Sequence, residues 1–368
     1  KKAIAINPNF SEAHNNLGNV FKEHGELGDA VKSYKKAVEL DKNLYEAYYN
    51  LGVVFIQLKR FNEAIETFQN AIEINPNFAQ SYNNLGSALM SLGRINESIN
   101  YFKKSLDVDD EYVNALNNLG IALTDLGQLK AGAKSIEKAI EIDPNFAEAH
   151  NSLGNIFKKF NKRDKALICY ERAFAIKPDM DFVLGGILNT KMHLCIWDEL
   201  SSQIEGLIRR VDNNEKTIDP FNQLGLIDDP ALQRKVTKIR MNSAHPKSMA
   251  LPLIKAYSKH PKIRIGYFSA DFKIHPVATL TAELYEVHDR EYFEIHAFSY
   301  GPDTNDEMNL RIKAGVDHFH NVESMSHKDI ALHARSLEID IAVDLSGLTA
   351  KSRTDVFAMS AAPIQLSY

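Results

Sequence analysis

Cysteine is nearly absent from the chain: Cys169 and Cys195 are the two among 368 residues, and they lack CxxC spacing. Two thiols cannot frame a disulfide-stapled domain, so a reducing, cytoplasmic setting is the expectation. Long apolar runs are missing as well. None approaches the roughly 20 residues that span a bilayer. The start, Lys1-Lys2-Ala3-Ile4, carries no Met and no signal-peptide pattern. Positive charge is not in excess either, with 43 Lys and Arg against 48 Asp and Glu, the opposite of a nucleic-acid-coating footprint. There is no GxGxxG and no P-loop. His288, His296, His318, His320, His327 and His333 lack metal-site spacing, and His318 and His320 read as surface residues of a strand, so no metal is expected. A charged fraction of 25% is that of a globular chain. The length suggests two or three domains at roughly 100–200 residues each.

What is present is a repeat. Asn7-Pro8, Asn75-Pro76, Asp143-Pro144 and Lys177-Pro178 fall at multiples of 34 residues, with Asp41-Lys42 and Asp109-Asp110 filling the registers between them. Leu-Gly recurs in phase at Gly18, Gly52, Gly86, Gly120 and Gly154, and small residues recur at Ala30, Ala64, Ser98, Gly132 and Ala166. Such a period resembles the tetratricopeptide repeat, two antiparallel helices per unit, and five units fit between Ser11 and Met180. In the first unit Ala13, Leu17 and Phe21 make one apolar face of helix A. A glycine inside a helix costs about 1 kcal/mol relative to Ala. Five in register are therefore expected to let helix B approach closely. Gly25, Gly93 and Gly127 mark the turn between helices, with Lys59 and Asn161 in their place in two units. Stacked units bury a continuous core and present a concave groove, whose usual role is to bind extended peptide.

Asn16, Asn50, Asn84 and Asn118 precede the Leu-Gly pairs, with Ser152 in the fifth unit. Asn is a mediocre residue inside a helix, and repeated local violations are expected at functional positions. An amide offers donors and an acceptor to the backbone of an extended peptide without reading its sequence. The other reading is that these asparagines face solvent or cap neighbouring turns.

The register is lost from about 181 to 261, where helices over Trp197–Val211 and Ala231–Ala244 read as a linker capping the solenoid. After Pro261 short apolar runs alternate with helical ones: strands at Ile263–Phe268, Tyr292–Tyr300, Phe319–Val322 and Ile339–Leu345, with another beginning at Pro363. Alternation of this kind predicts a parallel, doubly wound sheet. Ligands of such sheets sit at the carboxyl ends of strands. Two strand ends carry polar residues there. In Ser269-Ala270-Asp271-Phe272-Lys273-Ile274-His275-Pro276, the proline suits a first helical turn and sets His275 at the helix entrance. That histidine is either a general base or ligand contact in the crevice, or simply a helix start. In Asp344-Leu345-Ser346-Gly347-Leu348-Thr349, Asp344 either orients a base or a substrate hydroxyl, or caps the following turn.

Together, the Asn-Leu-Gly units, the helical linker and the α/β segment resemble the O-linked N-acetylglucosamine transferase/SPINDLY family. The residues that carry the likeness are Lys262-Ile263-Arg264-Ile265-Gly266-Tyr267-Phe268-Ser269-Ala270-Asp271-Phe272 with His275-Pro276, then Ala362-Pro363-Ile364-Gln365. Pro220-Phe221 and Asp228-Asp229-Pro230-Ala231-Leu232-Gln233 add to them. The resemblance implies a solenoid over 1–180, a helical linker over 181–261, and over 262–368 the first Rossmann-like lobe of a two-lobed GT-B glycosyltransferase. It implies inverting, metal-independent transfer, without a cofactor, of a sugar to Ser/Thr of proteins held along the repeat groove. The favoured donor is UDP-N-acetylglucosamine, with fucose or another donor as the alternative within the family. His275 matches the family's active-site histidine, and Asp344 lies in its second strand-end segment. Asp271 and Thr349 in the same two segments are candidate substrate contacts, and Asn16, Asn50, Asn84 and Asn118 match the asparagine ladder. Leu348 stands where many bacterial relatives have His. Lys1–Phe10 superpose on Lys35–Leu44 one period later and Tyr368 falls within a strand, so the expectation is a front portion, inactive without a second lobe. The competing class is a peptide-binding scaffold with a non-catalytic α/β lobe.

Overall fold

The computed structural model describes residues 2–246, 251–255, 257, 260–347, 349 and 352–367. Lys1, Leu348 and Tyr368, each singled out above, lie outside them. The chain divides into two compact units, 1–236 and 237–368.

In the first unit a short helix α1 (Lys2–Ile6) precedes five helix pairs. They are α2 (Ser11–Glu23) with α3 (Leu27–Leu40), α4 (Tyr45–Gln57) with α5 (Phe61–Ile74), α6 (Ala79–Ser91) with α7 (Ile95–Val108), α8 (Val113–Asp125) with α9 (Leu129–Ile142), and α10 (Ala147–Lys159) with α11 (Arg163–Ile176). Each pair closes on the glycine of its first helix. A Cβ on Gly18, Gly52, Gly86 or Gly154 would lie 2.6–2.7 Å from the ring of Tyr34, Phe68, Phe102 or Tyr170, sixteen residues on. Real Cβ contacts essentially never come so close. Where the ring is a tyrosine, the residue after the glycine is Asn, and the hydroxyl donates to it: Tyr34 to Asn19 at 2.7 Å, Tyr170 to Asn155 at 2.8 Å. Val53 and Ser87 stand in that place opposite the phenylalanines. The fourth unit has Ile136 instead of a ring, and there Gly132 lets the two backbones approach at Gly120.

The turns keep the register chemically. Asn7, Asp41, Asn75, Asp109 and Asp143 each accept the backbone N–H two residues on, at 2.9–3.2 Å, whether or not a proline follows. Gly25, Gly93 and Gly127 have φ of +75° to +78°, and Lys59 (+56°) and Asn161 (+59°) take the same left-handed conformation. The glycine positions are therefore conformational, and two units tolerate a side chain at some strain.

Beyond the pairs, α12 (Val183–His193) packs on α11, followed by α13 (Leu200–Asp212), α14 (Pro220–Leu224) and α15 (Pro230–Ala244), which crosses the division between the units. The helix expected from Trp197 starts instead at Leu200, after Glu199 at φ +55°, and Trp197 is exposed. Asp219 and Asp229 accept the first N–H groups of α14 and α15, which accounts for the Asp-Pro spacing there.

The second unit is a doubly wound sheet. Its strands are β1 (Ile263–Ser269), β2 (Phe293–Ser299), β3 (His318–Asn321), β4 (Ile341–Asp344) and β5 (Ile364–Ser367), all parallel in the order β3-β2-β1-β4-β5. Helices α16 (Pro276–Val287) and α17 (Glu307–Gly315) bury one face through Ala278, Ala282, Tyr285 and Ile312 against Ile265, Tyr267 and Ile295. Helices α18 (His327–Ser336) and α19 (Thr354–Ala358) cover the other, where Phe268 and Phe298 stack at 4.3 Å. The strand order turns back between β1 and β4, the place where a crevice opens in sheets of this kind. Among the described residues no helix is long and apolar enough to cross a membrane.

The ring-over-glycine contact gives two opposite expectations. Gly86→Ala gains about 1 kcal/mol of helix propensity but drives a Cβ into Phe102, for a net loss of about 1–2 kcal/mol in urea unfolding followed by helical circular dichroism. Gly28→Ala, in open space within α3, is neutral or stabilising by up to about 1 kcal/mol.

Candidate active-site edge and repeat ladder

The two segments singled out from the sequence sit at the carboxyl ends of β1 and β4, side by side at the switch point, with Phe268 in register with Asp344. Leu345 N–H donates to Phe268 O at 3.0 Å, and Ala270 N–H lies 3.5 Å from Ser346 Oγ, so the ends are laced together.

After β1 the chain runs through Asp271 to His275, the N-cap of α16. The loop is pinned from α17. Asn309, fully buried, donates to Phe272 O at 2.7 Å. Asp306 accepts Ile274 N–H at 3.1 Å while capping its own helix through Met308 and Asn309. These bonds hold the Asp306 carboxyl below its usual range, the Thr304 hydroxyl contributing most. His275 Nδ1 accepts Val277 N–H at 3.3 Å and lies 3.8 Å from Asp271 Oδ2. These partners make opposite demands. Capping uses the Nδ1 lone pair and leaves the proton on Nε2, whereas a bond to Asp271 needs Nδ1–H and frees Nε2 as a base. The arrangement is capped, with the alternative partner less than 1 Å beyond hydrogen-bond reach.

After β4, Asp344 is 4% exposed, and its Oδ1 accepts the N–H groups of Ser346 (3.0 Å) and Gly347 (3.1 Å). Burial pushes its carboxyl above the usual range, against those two bonds. Of the two roles open in the sequence, this geometry displays the turn cap. Gly347 has φ +53°. Thr349 is exposed, but its Oγ1 donates back to Ser346 O at 2.8 Å. Thus Asp271 and His275 face one another, and Asp344 and Thr349 brace one turn. Gln365 of the Ala-Pro-Ile-Gln run accepts Ala361 N–H and donates to Phe357 O, fastening the end of α19.

Sequence reasoning missed a second histidine–carboxylate pair. His245 Nδ1 lies 2.8 Å from Asp355 Oδ1, and His327 Nδ1 is 3.6 Å from Asp355 Oδ2. Separated by 110 positions, the pair left no motif to find.

Along the repeats, Asn50, Asn84 and Asn118 each donate to helix A of the preceding unit. Asn50 Nδ2 donates to Asn15 Oδ1 (3.1 Å), Asn84 Nδ2 to the Tyr49 hydroxyl (3.1 Å), and Asn118 Nδ2 to Asn83 Oδ1 (2.9 Å). Each rung joins one unit to the next, a sufficient reason for an amide at that point of helix A. Asn16 is exposed at the first rung. The series stops at Ser152, and Asn117 Oδ1, on a residue 6% exposed, has no hydrogen-bond partner. A cavity of about 460 Å³ opens there, lined by Asn117, Ile121, Asn151, Ser152 and the Glu148–Lys177 ion pair.

Residues 231–368 match glycosyl transferase family 41, and tetratricopeptide families match 1–32, 18–58, 45–78, 77–145 and 147–180. The chain is 31% identical over 200 residues to a probable UDP-N-acetylglucosamine–peptide N-acetylglucosaminyltransferase of Arabidopsis thaliana, covering 50% of this chain and 20% of that protein. With the Caenorhabditis elegans UDP-N-acetylglucosamine–peptide N-acetylglucosaminyltransferase the figures are 28% over 198 residues, 48% and 16%. Among solved structures, an O-GlcNAc transferase variant from Thermobaculum terrenum aligns with a TM-score of 0.43 at 21% identity, over 79% of this chain and 50% of that one. The chain thus spans no more than a fifth of the curated relatives' length.

Three substitutions at two positions test these sites by stability. Asp344→Asn keeps an Oδ1 for both turn amides and removes a buried charge, whereas Asp344→Ala strands those amides at a cost of about 1–3 kcal/mol. A carboxyl raised above its usual 3.8 binds protons more tightly when folded, so its ionisation withdraws stability as pH rises from there. The Asn variant is expected to gain on the parent with rising pH in denaturant titrations. Ser152→Asn supplies the absent rung, and donation to Asn117 Oδ1 is expected to stabilise the array by about 0.5–1.5 kcal/mol.

Proposed function

From a chain that joins tetratricopeptide repeats to a family 41 glycosyltransferase segment, we propose a protein O-glycosyltransferase. It transfers N-acetylglucosamine from UDP-N-acetylglucosamine to Ser or Thr of acceptor proteins laid along the helix-A face of the repeats. The observation that carries the reading is the pairing of Asp271 and His275 beside the switch point, within the family 41 match. The named activities of the relatives support the donor and the acceptor class.

The chemistry asks little of the protein beyond alignment and charge. The acceptor Oγ forms a bond to the anomeric carbon on the face opposite the departing diphosphate, which leaves with the bonding electron pair. The hydroxyl proton passes to a base, and stabilisation of the leaving group supplies much of the rate. His275 serves as that base when Asp271 takes its Nδ1–H and Nε2 is bare, which requires giving up the cap on Val277. A helix end thereby becomes part of the catalytic equipment. The rungs of the ladder keep acceptor oxygens and second N–H groups for a peptide backbone, contacts indifferent to acceptor sequence.

The test is sugar transfer by the complete protein. His275→Ala is expected to lower turnover about 10²–10⁴-fold while moving the melting temperature little, because the side chain is a half-exposed cap. Transfer at the parental rate by that variant would refute the assignment.

A further inference from the structure

The edge of the sheet farthest from the switch point gathers histidines that sequence spacing does not connect. Strand β2 sends Glu294 and His296 to one face, and β3 sends His318 and His320 to the same face, with His296 in register with His318. His333 of α18 joins them. His318 is exposed as expected, but His320 is half-buried and His296 is 3% exposed. The surface reading of His320 is therefore wrong: its ring stacks on Phe298 at 4.7 Å.

We infer that Glu294, His296 and His318 form a binding site for a divalent first-row transition ion of the Zn²⁺ type. One ligand atom from each lies within 4.8 Å of the others. Glu294 Oε1 is 2.9 Å from His318 Nε2 and 3.4 Å from His296 Nε2. Ligand bonds of about 2.0–2.2 Å set tetrahedral neighbours roughly 3.4 Å apart, so small side-chain shifts suffice. The second observation is an orphan. His296 Nε2 is buried and makes no hydrogen bond, although it faces this carboxylate.

The opposite nitrogen explains the orientation. His296 Nδ1 meets His320 Nε2 at 3.1 Å, and His320 Nδ1 meets His333 Nε2 at 3.3 Å. One consistent set of tautomers has each Nδ1–H donating to the next ring, which directs the His296 Nε2 lone pair at Glu294 and His318. Ligating histidines are held in this way by an outer partner. The charged neighbour is Arg264, 3.0 Å from Glu294 Oε2, which weakens the ion's hold but leaves Oε1 to it. The exposed His318 side leaves a coordination position for water. Glu294 is the second residue of β2, about 16 Å along the strand from its carboxyl end, so the ion would pin the edge strand β3 to β2 rather than enter the transfer chemistry.

The test uses the full chain stripped with chelator and titrated with Zn²⁺ by calorimetry, with Co²⁺ as a visible-absorption reporter. One Zn²⁺ per chain is expected, with Co²⁺ bands typical of a four- or five-coordinate site. His318→Ala and Glu294→Gln, both at partly open positions, are expected to weaken binding at least about tenfold and to abolish the bands. His320→Gln keeps the ligands and weakens binding about 10–100-fold. His150→Ala, on the fifth repeat, leaves it unchanged. Failure of the parent to take up Zn²⁺, or parental affinity in both ligand variants, overturns the proposal.

Discussion

A missing side chain holds the repeat unit together. At Gly18, Gly52, Gly86 and Gly154 the absence of a Cβ lets a ring from the second helix lie on the first helix's backbone, and everything else in the unit follows from that approach. It makes Ala30, Ala37 and their counterparts small, because helices this close have no room for more between them. It also fixes which residues of helix A turn to the neighbouring unit, and so places the asparagines where they meet. The fourth unit shows the constraint from the other side: with Ile136 in place of a ring, a second glycine is needed to bring the helices together.

The α/β unit rests on a different economy. Its crevice edge is made of loops, yet few of their polar groups are loose. Asp306 and Asn309 hold the loop after β1, and Asp344 and Thr349 hold the turn after β4. Rigid loops of this sort let a few side chains do chemistry without reorganisation. The histidine at the helix entrance is the exception, since its one ring nitrogen has two competing partners.

Much of this was readable from residue order. The 34-residue period located all five helix pairs because each structural demand recurs in phase, and Lys59 and Asn161 were recognisable as stand-ins for turn glycines. The strands after Pro261 were legible as apolar runs, and the polar strand ends marked the switch point. What was hidden depends on three-dimensional pairing. The role of Asp344 turned on which amides meet its Oδ1. The His245–Asp355 pair and the histidines of β2 and β3 converge through sheet register, which no local spacing encodes. The start of α13 at Leu200 was obscured because Trp197 mimics a helical apolar position while lying exposed.

The broken ladder has a consequence for how the array comes apart. In a solenoid each unit is coupled only to its neighbours, so stability is a chain of links and the weakest link sets where cooperativity fails. Between the fourth and fifth units the rung is absent, Asn117 is left with a bare acceptor, and α9 and α10 touch least of the four junctions. The fifth unit is therefore joined to the fourth by apolar packing, with Leu116, Ile136, Leu153 and Ile156 in one buried cluster and no amide bridge beside it.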